Sequence, residues 1–302
     1  MNRLKLGIIT IFICGTLTVP VQAFSTETVE DKYPDLSTGV LKSAQLVEMS
    51  SDILLSADGF EIPYSWVQET LRGFPSEMRK QVEGSLFFLL EQDVTQKVMV
   101  RDAKISGIPT DGRTEDQVIQ SYLTEKVSRI TVSDEETKAF YDGNKELVGG
   151  LPFDQVRGSI EGYLIQQKRQ NAVSEYVNNL ENLKDIRINS RWVENHYALA
   201  MDNPVDRAKR SGKPTMVEFG AVGCIPCDRM QPILDKLRKR YPNRLNVVFV
   251  NVRENQIIGA RFGIRSIPVQ VFYDRTGKEV FRHVGFFAET EVHNQLKTMG
   301  LP

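Results

Sequence analysis

Cysteine is scarce in this sequence. The chain of 302 residues contains three cysteines, Cys14, Cys224 and Cys227. A secreted protein held together by disulfides needs several more cysteines than this, in even numbers. We therefore expect hydrophobic cores to stabilise the fold, which leaves the cysteines free for chemistry.

Net charge is also nearly absent. The chain has 38 Lys and Arg residues against 39 Asp and Glu residues, for a formal net charge of −1. This balance gives no bulk electrostatic attraction for nucleic acids or anionic membranes, so we predict no nucleic-acid partner. The composition, 41% hydrophobic and 25% charged, is that of an ordinary globular protein. The length predicts about two domains.

The one long apolar run lies at the N-terminus. Residues 1–5 are a short basic start, residues 6–19 are apolar, and residues 21–23 have the modest side chains that a signal peptidase accepts. The pattern predicts a secretory signal peptide, residues 1–23, cleaved after Ala23. The alternative is a membrane anchor, but the run is short because a span needs about 20 residues. We expect export to the periplasm, loss of Cys14 with the signal, and a soluble mature protein.

Hydrophobic periodicity divides the remaining chain. Residues 24–51 are polar and aperiodic, which predicts a flexible tether. In residues 52–190, apolar side chains recur at three- and four-residue steps, which predicts a mostly α-helical domain whose apolar stripes form its core. In residues 191–302, strands alternate with helices, which predicts an α/β domain with its last two strands antiparallel.

Signals at the ends of elements place several of them. Residues 53–62 predict a small hairpin. Residues 76–105 predict one long amphipathic helix that ends at Gly107. Ser133 and Glu136 have the spacing of a capping box, so a helix is expected to begin there. The strands predicted in the α/β domain are 216–219, 245–251, 269–273 and 279–284.

The Cys224–Cys227 pair lies where a predicted strand ends and a helix begins. Pro226 suits the first turn of that helix, where its missing N–H costs nothing. Unpaired backbone N–H groups and the positive end of the helix dipole favour an anion at this position, and a thiolate is both an anion and a nucleophile. Cys227, one turn further on, can close a disulfide with Cys224. We therefore predict that Cys224 is the attacking thiol and Cys227 the resolving thiol.

Two other readings of the pair are a zinc site and a structural disulfide. A structural zinc site needs four ligands, and the three histidines, His196, His283 and His293, are scattered. A structural disulfide between these cysteines would close too short a loop to stabilise the fold much. A redox pair is favoured because the two cysteines lie two residues apart within an α/β alternation, and no metal is predicted.

The C-terminal part resembles the thioredoxin family in the order and spacing of its motifs, over about residues 200–302. The segments concerned are Glu-Phe-Gly-Ala at 218–221, Gly-Cys-Ile-Pro-Cys at 223–227, Phe-Gly-Ile-Arg-Ser-Ile-Pro at 262–268 and Val-Gly at 284–285. The resemblance implies an α/β thioredoxin-like domain with a central mixed sheet flanked by helices. It also implies thiol–disulfide exchange on protein substrates without a cofactor.

The resemblance further implies roles for individual residues. Pro268 corresponds to a cis proline that faces the disulfide and, with Ile267, helps to hold an extended substrate by backbone contacts. Gly285 matches a glycine near the same surface. Glu218 falls at the position of a buried acid that assists proton transfer at the resolving thiol. We therefore predict Cys224, Cys227 and Glu218 as catalytic residues, the two cysteines forming the redox disulfide.

The sequence departs from the family at three positions near the pair. Tryptophan is common before the first cysteine, where this chain has Gly223, and a second usual aromatic position holds Gly220. The lysine that pairs with the buried acid in many thioredoxins is replaced by Phe249. Without a cation, an acid in an apolar setting is expected to have a raised pKa, so we predict that Glu218 shuttles a proton near neutral pH. The alternative is an ordinary solvated acid on a strand.

Residues 52–190 are similar to the chaperone part of exported proteins of the SurA/PpiC type. The segments that carry this resemblance are 58–62, 103–108, 131–136, 140–141, 152–156 and 166–169. In that family a parvulin prolyl-isomerase domain often follows the position of Tyr141, but only about ten residues separate Tyr141 from Pro152 here. The resemblance therefore implies a SurA-like helical domain that binds polypeptides or serves as a structural arm, without isomerase activity.

Together these patterns predict an exported oxidoreductase, residues 191–302 being the thioredoxin-like domain and residues 52–190 the SurA-like domain. Reduction of disulfides is favoured over oxidation or isomerisation, and it would require a membrane electron donor of the DsbD/CcdA type. The alternative is a periplasmic holdase-type chaperone that binds unfolded polypeptides through its helical domain, with an accessory thiol pair. A helical domain that only dimerises or positions the redox domain is a third reading.

Overall fold

The computed structural model describes residues 27–145, 149–183 and 185–301. The predicted signal peptide, residues 1–23, lies outside the described residues. Within the described ranges, no helix has both the length and the apolar character that crossing a bilayer requires.

The N-terminal domain combines helices with a small sheet. Its helices are α1 (Val29–Lys32), α2 (Ser65–Arg72), α3 (Ser76–Glu83), α4 (Leu86–Ile105), α5 (Glu115–Lys126), α6 (Asp134–Gly143), α7 (Phe153–Asn179) and α8 (Ser190–Ala200). Its strands are β1 (Gln45–Val47), β2 (Ile53–Ala57), β3 (Phe60–Pro63) and β4 (Arg187–Asn189). They form a four-stranded sheet in the order β1-β4-β2-β3, in which β1 and β4 are parallel and the other pairs antiparallel. The predicted hairpin is confirmed as β2 and β3.

Helix ends follow the predicted signals. The backbone N–H of Glu136 donates to the Ser133 hydroxyl at 3.2 Å, and the Glu136 carboxylate accepts from the Ser133 N–H at 2.9 Å. This reciprocal pair confirms the capping box at the start of α6. Gly107 has a φ of 81°, a left-handed conformation that ends α4 as predicted.

The predicted long helix over residues 76–105 is wrong in one respect, because it is divided into α3 and α4. The break falls at Gly84 and Ser85. The end of α8 approaches this point so closely that a Cβ on Gly84 would lie 3.3 Å from the Leu199 carbonyl oxygen. The glycine therefore allows another helix to pack where the chain changes direction.

The predicted flexible tether, residues 24–51, is wrong for the part that is described. Val29, Leu36 and Leu41 are buried in the N-terminal core, and β1 belongs to the sheet. The segment is anchored by the buried Glu91 carboxylate of α4, which accepts hydrogen bonds from four groups. The donors are the Ser37 hydroxyl and the backbone N–H groups of Thr38, Gly39 and Leu41, the three N–H contacts measuring 3.1–3.2 Å. A polar segment is thus ordered by one buried acceptor.

The boundary between the domains lies later than residue 190. Helix α8 buries Trp192 and Val193 in the same core as Leu54 and Val94 of the N-terminal domain. The Trp192 ring stacks on Phe87 of α4 with 6.2 Å between ring centroids. Residues 190–200 therefore belong to the N-terminal domain, not to the α/β domain as predicted.

The C-terminal domain is built on a central mixed sheet. Its strands are β5 (Thr215–Gly220), β6 (Asn246–Asn251), β7 (Val269–Tyr273) and β8 (Glu279–Val284), and its helices are α9 (Pro204–Lys209), α10 (Ile225–Arg240), α11 (Gln256–Arg261) and α12 (Glu289–Thr298). The strand order is β6-β5-β7-β8, with β5 parallel to β6 and the remaining pairs antiparallel. The predicted mixed sheet flanked by helices and its antiparallel final hairpin are confirmed.

Each face of this sheet has its own core because side chains alternate along a strand. One face places Met216 and Phe272 against Met230 and Leu234 of α10 and Val292 of α12. The other face places Phe219, Val217 and Val271 against α9 and α11. Burial on both faces makes β5 and β7 nearly continuous apolar runs, so a polar residue on either strand is conspicuous.

Polar contacts join the two domains around Arg261 of α11. Its guanidinium donates to the buried Asp206 carboxylate of α9 at 2.5 Å and to the backbone carbonyl oxygens of Ala200 and Asp35, each at 3.3 Å. Nearby, the Gln81 side chain of α3 donates to the Glu254 carbonyl oxygen at 3.3 Å. These contacts fix the α11 side of the redox domain against the N-terminal domain.

Candidate functional site

The cysteine pair is joined in a disulfide at the start of α10. Cys224 is the N-cap residue of the helix, and its Cα lies 5.2 Å from that of Cys227. The Asp228 N–H donates to the Cys224 carbonyl oxygen at 2.8 Å, which closes the first helical turn. The prediction that Cys224 lies at a helix N-terminus is confirmed.

The two cysteines differ in accessibility. Cys224 is half-buried, whereas only 1% of Cys227 is exposed. Cys224 stands at the N-terminus of α10, where the positive end of the helix dipole stabilises negative charge on a sulfur. An incoming disulfide therefore reaches Cys224 first, and the partner within reach of the buried Cys227 is the Cys224 sulfur itself.

The sheet register brings the other predicted substrate-binding residues to the same edge. Phe219 of β5 pairs with Val269 of β7, and Val269 pairs with Val284 of β8. The residues that adjoin these three positions therefore meet at one edge of the sheet, where the strands end or begin. These residues are the cysteine loop after β5, Pro268 before β7 and Gly285 after β8. The Ile267–Pro268 peptide bond is cis, as the resemblance implied, and Ile267 is half-buried.

Backbone contacts and open space mark this edge. The Gly285 N–H donates to the Pro268 carbonyl oxygen at 2.8 Å, so the two predicted positions are directly joined. Gly285 has a φ of 100°, and a Cβ there would meet nothing within 4 Å. The space in front of Gly285 is open to a bound segment.

Exposed apolar side chains surround the disulfide. Val222 is 70% exposed, Ile225 77% and Val284 59%. Their positions beside Cys224 and Gly285 form an apolar rim at the sheet edge. An exposed apolar patch of this kind is typical of a surface that binds protein.

Glu218 lies in the interior of the sheet and is fully buried. Burial raises its pKa to about 8, and a hydrogen bond from the Gln270 side chain opposes that rise. The Gln270 Nε2 donates to Glu218 Oε2 at 2.8 Å. The predicted raised pKa is confirmed, and the alternative of a solvated strand acid is wrong.

The distance from Glu218 to the cysteines follows from the strand geometry. Gly220 is two residues further along β5 on the same face, a step of about 7 Å. A Cβ on Gly220 would lie 3.4 Å from the Cys227 Sγ. The Glu218 carboxyl and the resolving sulfur therefore occupy neighbouring positions on one face of the strand.

The two glycines that replace aromatic residues have separate structural reasons. A Cβ on Gly220 would lie 3.0 Å from Cε2 of Phe249, so the Phe249 ring already occupies the space. Gly223 has a φ of 77°, in the left-handed region that side chains rarely adopt. The aromatic ring is thus supplied by β6, and the turn before Cys224 requires glycine.

Sequence reasoning did not identify three contacts around the site. One is the hydrogen bond from Gln270 to Glu218, although a glutamine in the otherwise apolar strand β7 was a signal in the sequence that could have indicated it. The other two follow from tertiary packing alone: Arg253 Nη1 donates to the Val222 carbonyl oxygen at 3.1 Å, and the Arg229 guanidinium lies 4.0 Å from the centroid of the Phe286 ring. Among the described residues, no three histidine, cysteine or acidic side chains converge in a way that could hold a metal ion.

Comparison with known proteins agrees with this geometry. Residues 201–300 match the family model of a thioredoxin-like domain. Thioredoxin 1 of Synechococcus elongatus is 35% identical over 86 residues, which are 28% of this chain and 79% of that protein. Thioredoxin of Haemophilus influenzae is 35% identical over 81 residues, 27% of this chain and 75% of that protein. Thioredoxin of Alicyclobacillus acidocaldarius is 30% identical over 95 residues, 32% of this chain and 90% of that protein.

These matches fall on the domain that contains the disulfide, and thioredoxins act on protein thiols and disulfides. The matched domain and its Cys224–Cys227 disulfide make the protein a protein-disulfide oxidoreductase. Through its C-terminal domain, the chain belongs to the thioredoxin family.

Proposed function

We propose that this protein is an exported, periplasmic thiol–disulfide oxidoreductase that reduces disulfides in protein substrates. The observation that carries the proposal is the asymmetry of the cysteine pair, with Cys224 accessible at a helix N-terminus and Cys227 buried behind it. That asymmetry suits an attacking thiol and a resolving thiol.

The reduced protein acts in two exchange steps. The Cys224 thiolate attacks a substrate disulfide, forming a mixed disulfide and releasing one substrate thiolate, which takes up a proton. Cys227 then loses its proton and attacks the Cys224 sulfur, so that the Cys224–Cys227 disulfide forms and the second substrate thiolate leaves. Two electrons pass from the cysteine pair to the substrate, and no cofactor is required.

Glu218 is proposed to accept the proton that Cys227 loses. Its position beside Cys227 on one face of β5 and its pKa of about 8 support this role, because a proton carrier works best when its pKa is close to the working pH. The Ile267–Pro268 bond and Gly285 lie at the edge where an extended substrate would align its backbone with the sheet. Val222, Ile225 and Val284 would contact the apolar side chains of that substrate.

Export and the direction of electron flow rest on other observations. The basic and apolar start of the sequence supports export, and a mature chain without Cys14 would keep only the redox pair. An oxidising compartment does not keep a dithiol reduced, so a reductase there needs a membrane electron donor of the DsbD/CcdA type. The reported relatives are thioredoxins, which favours reduction.

Trapping of mixed disulfides is the decisive test. The Cys227→Ser variant should accumulate covalent complexes with its substrates and with its electron donor, because the resolving thiol is missing. The matched Cys224→Ser variant should trap none, since Cys227 is buried. Equal trapping by the two variants would contradict the assigned roles.

The reduction potential tests the direction of electron flow. A potential close to that of thioredoxin, about −270 mV, is expected for a reductase, whereas a value close to that of DsbA, about −120 mV, would indicate an oxidase. The N-terminal sequence of the protein purified from a periplasmic fraction tests export, and it should begin at Phe24.

A second candidate function is chaperone activity of the N-terminal domain. Helices α6 and α7 pack against each other and together form the α6–α7 arm, in which Phe140 contacts Tyr163 with 5.4 Å between ring centroids. Tyr163 of α7 and Leu151, just before α7, are exposed. Exposed apolar side chains on an arm of this kind favour contact with unfolded polypeptides, in line with the SurA-like prediction.

The chaperone function can be separated from the redox function. A Cys224→Ser, Cys227→Ser double variant should still suppress aggregation of a client protein if the arm binds it. Replacing Tyr163 and Leu151 with serine should remove that suppression without changing disulfide reduction. If the double cysteine variant does not suppress aggregation, the chaperone candidate is contradicted.

A further inference from the structure

One row of side chains crosses the whole sheet of the redox domain at the level of Glu218. In register, it consists of Phe249 on β6, Glu218 on β5, Gln270 on β7 and His283 on β8. All four lie on the face that packs against α10, the helix that contains Cys227. The row therefore contains two buried polar residues between an aromatic ring and a half-buried histidine.

Gln270 is fully buried in a layer whose other buried side chains are apolar except for Glu218. Met216 of β5 and Phe272 of β7 lie on the same face of the sheet, and Met230 of α10 belongs to the same core. Burying an amide in such surroundings costs free energy unless the amide is hydrogen-bonded. The amide nitrogen donates to Glu218 Oε2, whereas Glu218 Oε1 and Gln270 Oε1 have no hydrogen-bond partner in the described part of the chain.

The neighbouring elements provide no cation to this carboxyl. Phe249 of β6 is uncharged, and the charged residues of α10 are all exposed. Helix α12 packs on this face through the apolar Val292 and Leu296. His283 of β8 stands on the far side of Gln270, with its Nε2 3.3 Å from the Phe286 carbonyl oxygen. Burial raises the pKa of Glu218, and the Gln270 hydrogen bond opposes the rise. Within the described residues, the amide is thus the group that stabilises the ionised carboxylate.

We propose that Gln270 is the positioning residue for Glu218. Its amide holds one carboxyl oxygen by a hydrogen bond and leaves the other oxygen free to exchange a proton at Cys227. The ionised carboxylate is thus stabilised by a neutral hydrogen-bond donor instead of a cation, and Glu218 can take up and release its proton within the working pH range. This inference rests on the proposed role of Glu218 as the proton shuttle.

The test compares two variants of Gln270 with the wild type in the full-length protein. The measured quantity is the rate at which Cys227 resolves a preformed mixed disulfide, followed in single turnover across the pH range. In the Gln270→Met variant, the new side chain has a similar length but no hydrogen-bond donor. The pH midpoint of the resolution rate should then rise by about one unit, because the charged carboxylate loses its hydrogen bond. In Gln270→Lys, the midpoint should fall below that of the wild type, since a cation favours the charged form.

Val271→Ala is the matched control. Val271 is also fully buried on β7, but it points to the opposite face of the sheet, so its loss should lower stability and leave the midpoint unchanged. A Gln270→Met midpoint equal to that of the wild type would overturn the inference.

Glu218→Gln distinguishes failure of this inference from failure of the proposed shuttle. If Glu218→Gln leaves the pH profile unchanged, the shuttle itself is wrong. If Glu218→Gln abolishes the pH midpoint of the resolution rate while Gln270→Met leaves that midpoint at the wild-type value, only the role of Gln270 is wrong.

A measurement on the wild-type protein avoids dependence on the folding of variants. The side-chain NH₂ resonances of Gln270 should shift with pH at the midpoint of Glu218, because the amide donates directly to that carboxyl. Resonances that do not titrate would contradict the inference.

Discussion

The ring of Phe249 lies over Gly220, with Cε2 3.0 Å from where a Cβ on Gly220 would stand. Cys227 closes the same space from the helix side, its own Cβ lying 3.2 Å from that point. The aromatic residue that the family usually has on β5 is therefore replaced by one on β6. The two positions are complementary and are expected to change together.

This relationship predicts that Gly220→Ala is destabilising. Overpacking of a tight core typically costs about 1–3 kcal/mol, and the new methyl group has Phe249 and Cys227 in its way. The cost should be smaller in a Phe249→Ala background, which urea unfolding of the two single variants and the double variant would measure. Gly143→Ala is the control, because a Cβ there meets nothing within 4 Å. Equal costs in both backgrounds would contradict the complementarity.

Glu218 makes stability depend on pH. The unfolded carboxyl ionises near 4.5, whereas burial in the fold raises the pKa of Glu218 to about 8. Between these values the folded protein holds a proton that the unfolded chain has released. The contribution of this bound proton to the free energy of unfolding is therefore fully present below about pH 4.5. It falls by about 1.4 kcal/mol for each pH unit as the pH rises to about 8.

The Glu218→Gln variant should lose this slope. Urea unfolding of the oxidised proteins at several pH values between about 5 and 8 would measure it. Glu175→Gln, an exposed position on α7, is the control and should keep the wild-type slope. A wild-type stability that is constant over this pH window would contradict the raised pKa.

The Glu91 carboxylate should be essential for the order of the first described segment. Glu91→Ala removes the acceptor shared by the Ser37 hydroxyl and the N–H groups of Thr38, Gly39 and Leu41. We expect a loss of about 3 kcal/mol in the free energy of unfolding, because buried donors are left unpaired.

Hydrogen exchange would localise the effect of Glu91→Ala to residues 37–44, which should lose protection. Gln96→Ala, an exposed change on the same helix, should leave both stability and protection near wild type. Unchanged exchange in residues 37–44 of Glu91→Ala would show that the segment is held by its apolar contacts alone.

Arg261 should control how firmly the two domains are joined. Arg261→Gln removes the hydrogen bonds to the Ala200 and Asp35 carbonyl oxygens of the N-terminal domain. It also leaves the buried Asp206 carboxylate of its own domain without its cation, which typically costs about 3–5 kcal/mol. Limited proteolysis should then cut the connection around residues 200–204 faster than in the wild type. The control is Lys138→Gln, because Lys138 pairs with Asp142 on the exposed surface of α6, away from the connection. Resistance of Arg261→Gln equal to that of the wild type would show that the domain contact does not depend on Arg261.

The parts of the fold that the sequence predicted are those determined by local pattern. The final strands, Val269–Tyr273 and Glu279–Val284, have the predicted bounds because a clear turn, residues 274–277, separates two short runs of strand-forming residues. The position of Cys224 at a helix N-terminus and the capping box at Ser133 also depend on residues a few positions apart.

The parts that were missed depend on contacts between distant residues. Residues 27–51 have no periodicity, yet Glu91 orders them from about 50 residues away along the chain. Helix α8 was assigned to the wrong domain because its apolar face shows that it is buried but not against which core. Gln270 acquires its meaning only from its cross-strand partner, Glu218.

The sheet order of the N-terminal domain has a consequence for how the chain folds during synthesis. Strand β4, the last to be made, lies between β1 and β2, so the sheet has a gap until residues 187–189 are available. The 129 residues 58–186, which separate the end of β2 from the start of β4, must all be made before β4 joins its neighbours. A chain that leaves the ribosome from its N-terminus thus cannot complete this sheet until most of the N-terminal domain has been made, a delay that is compatible with the proposed export.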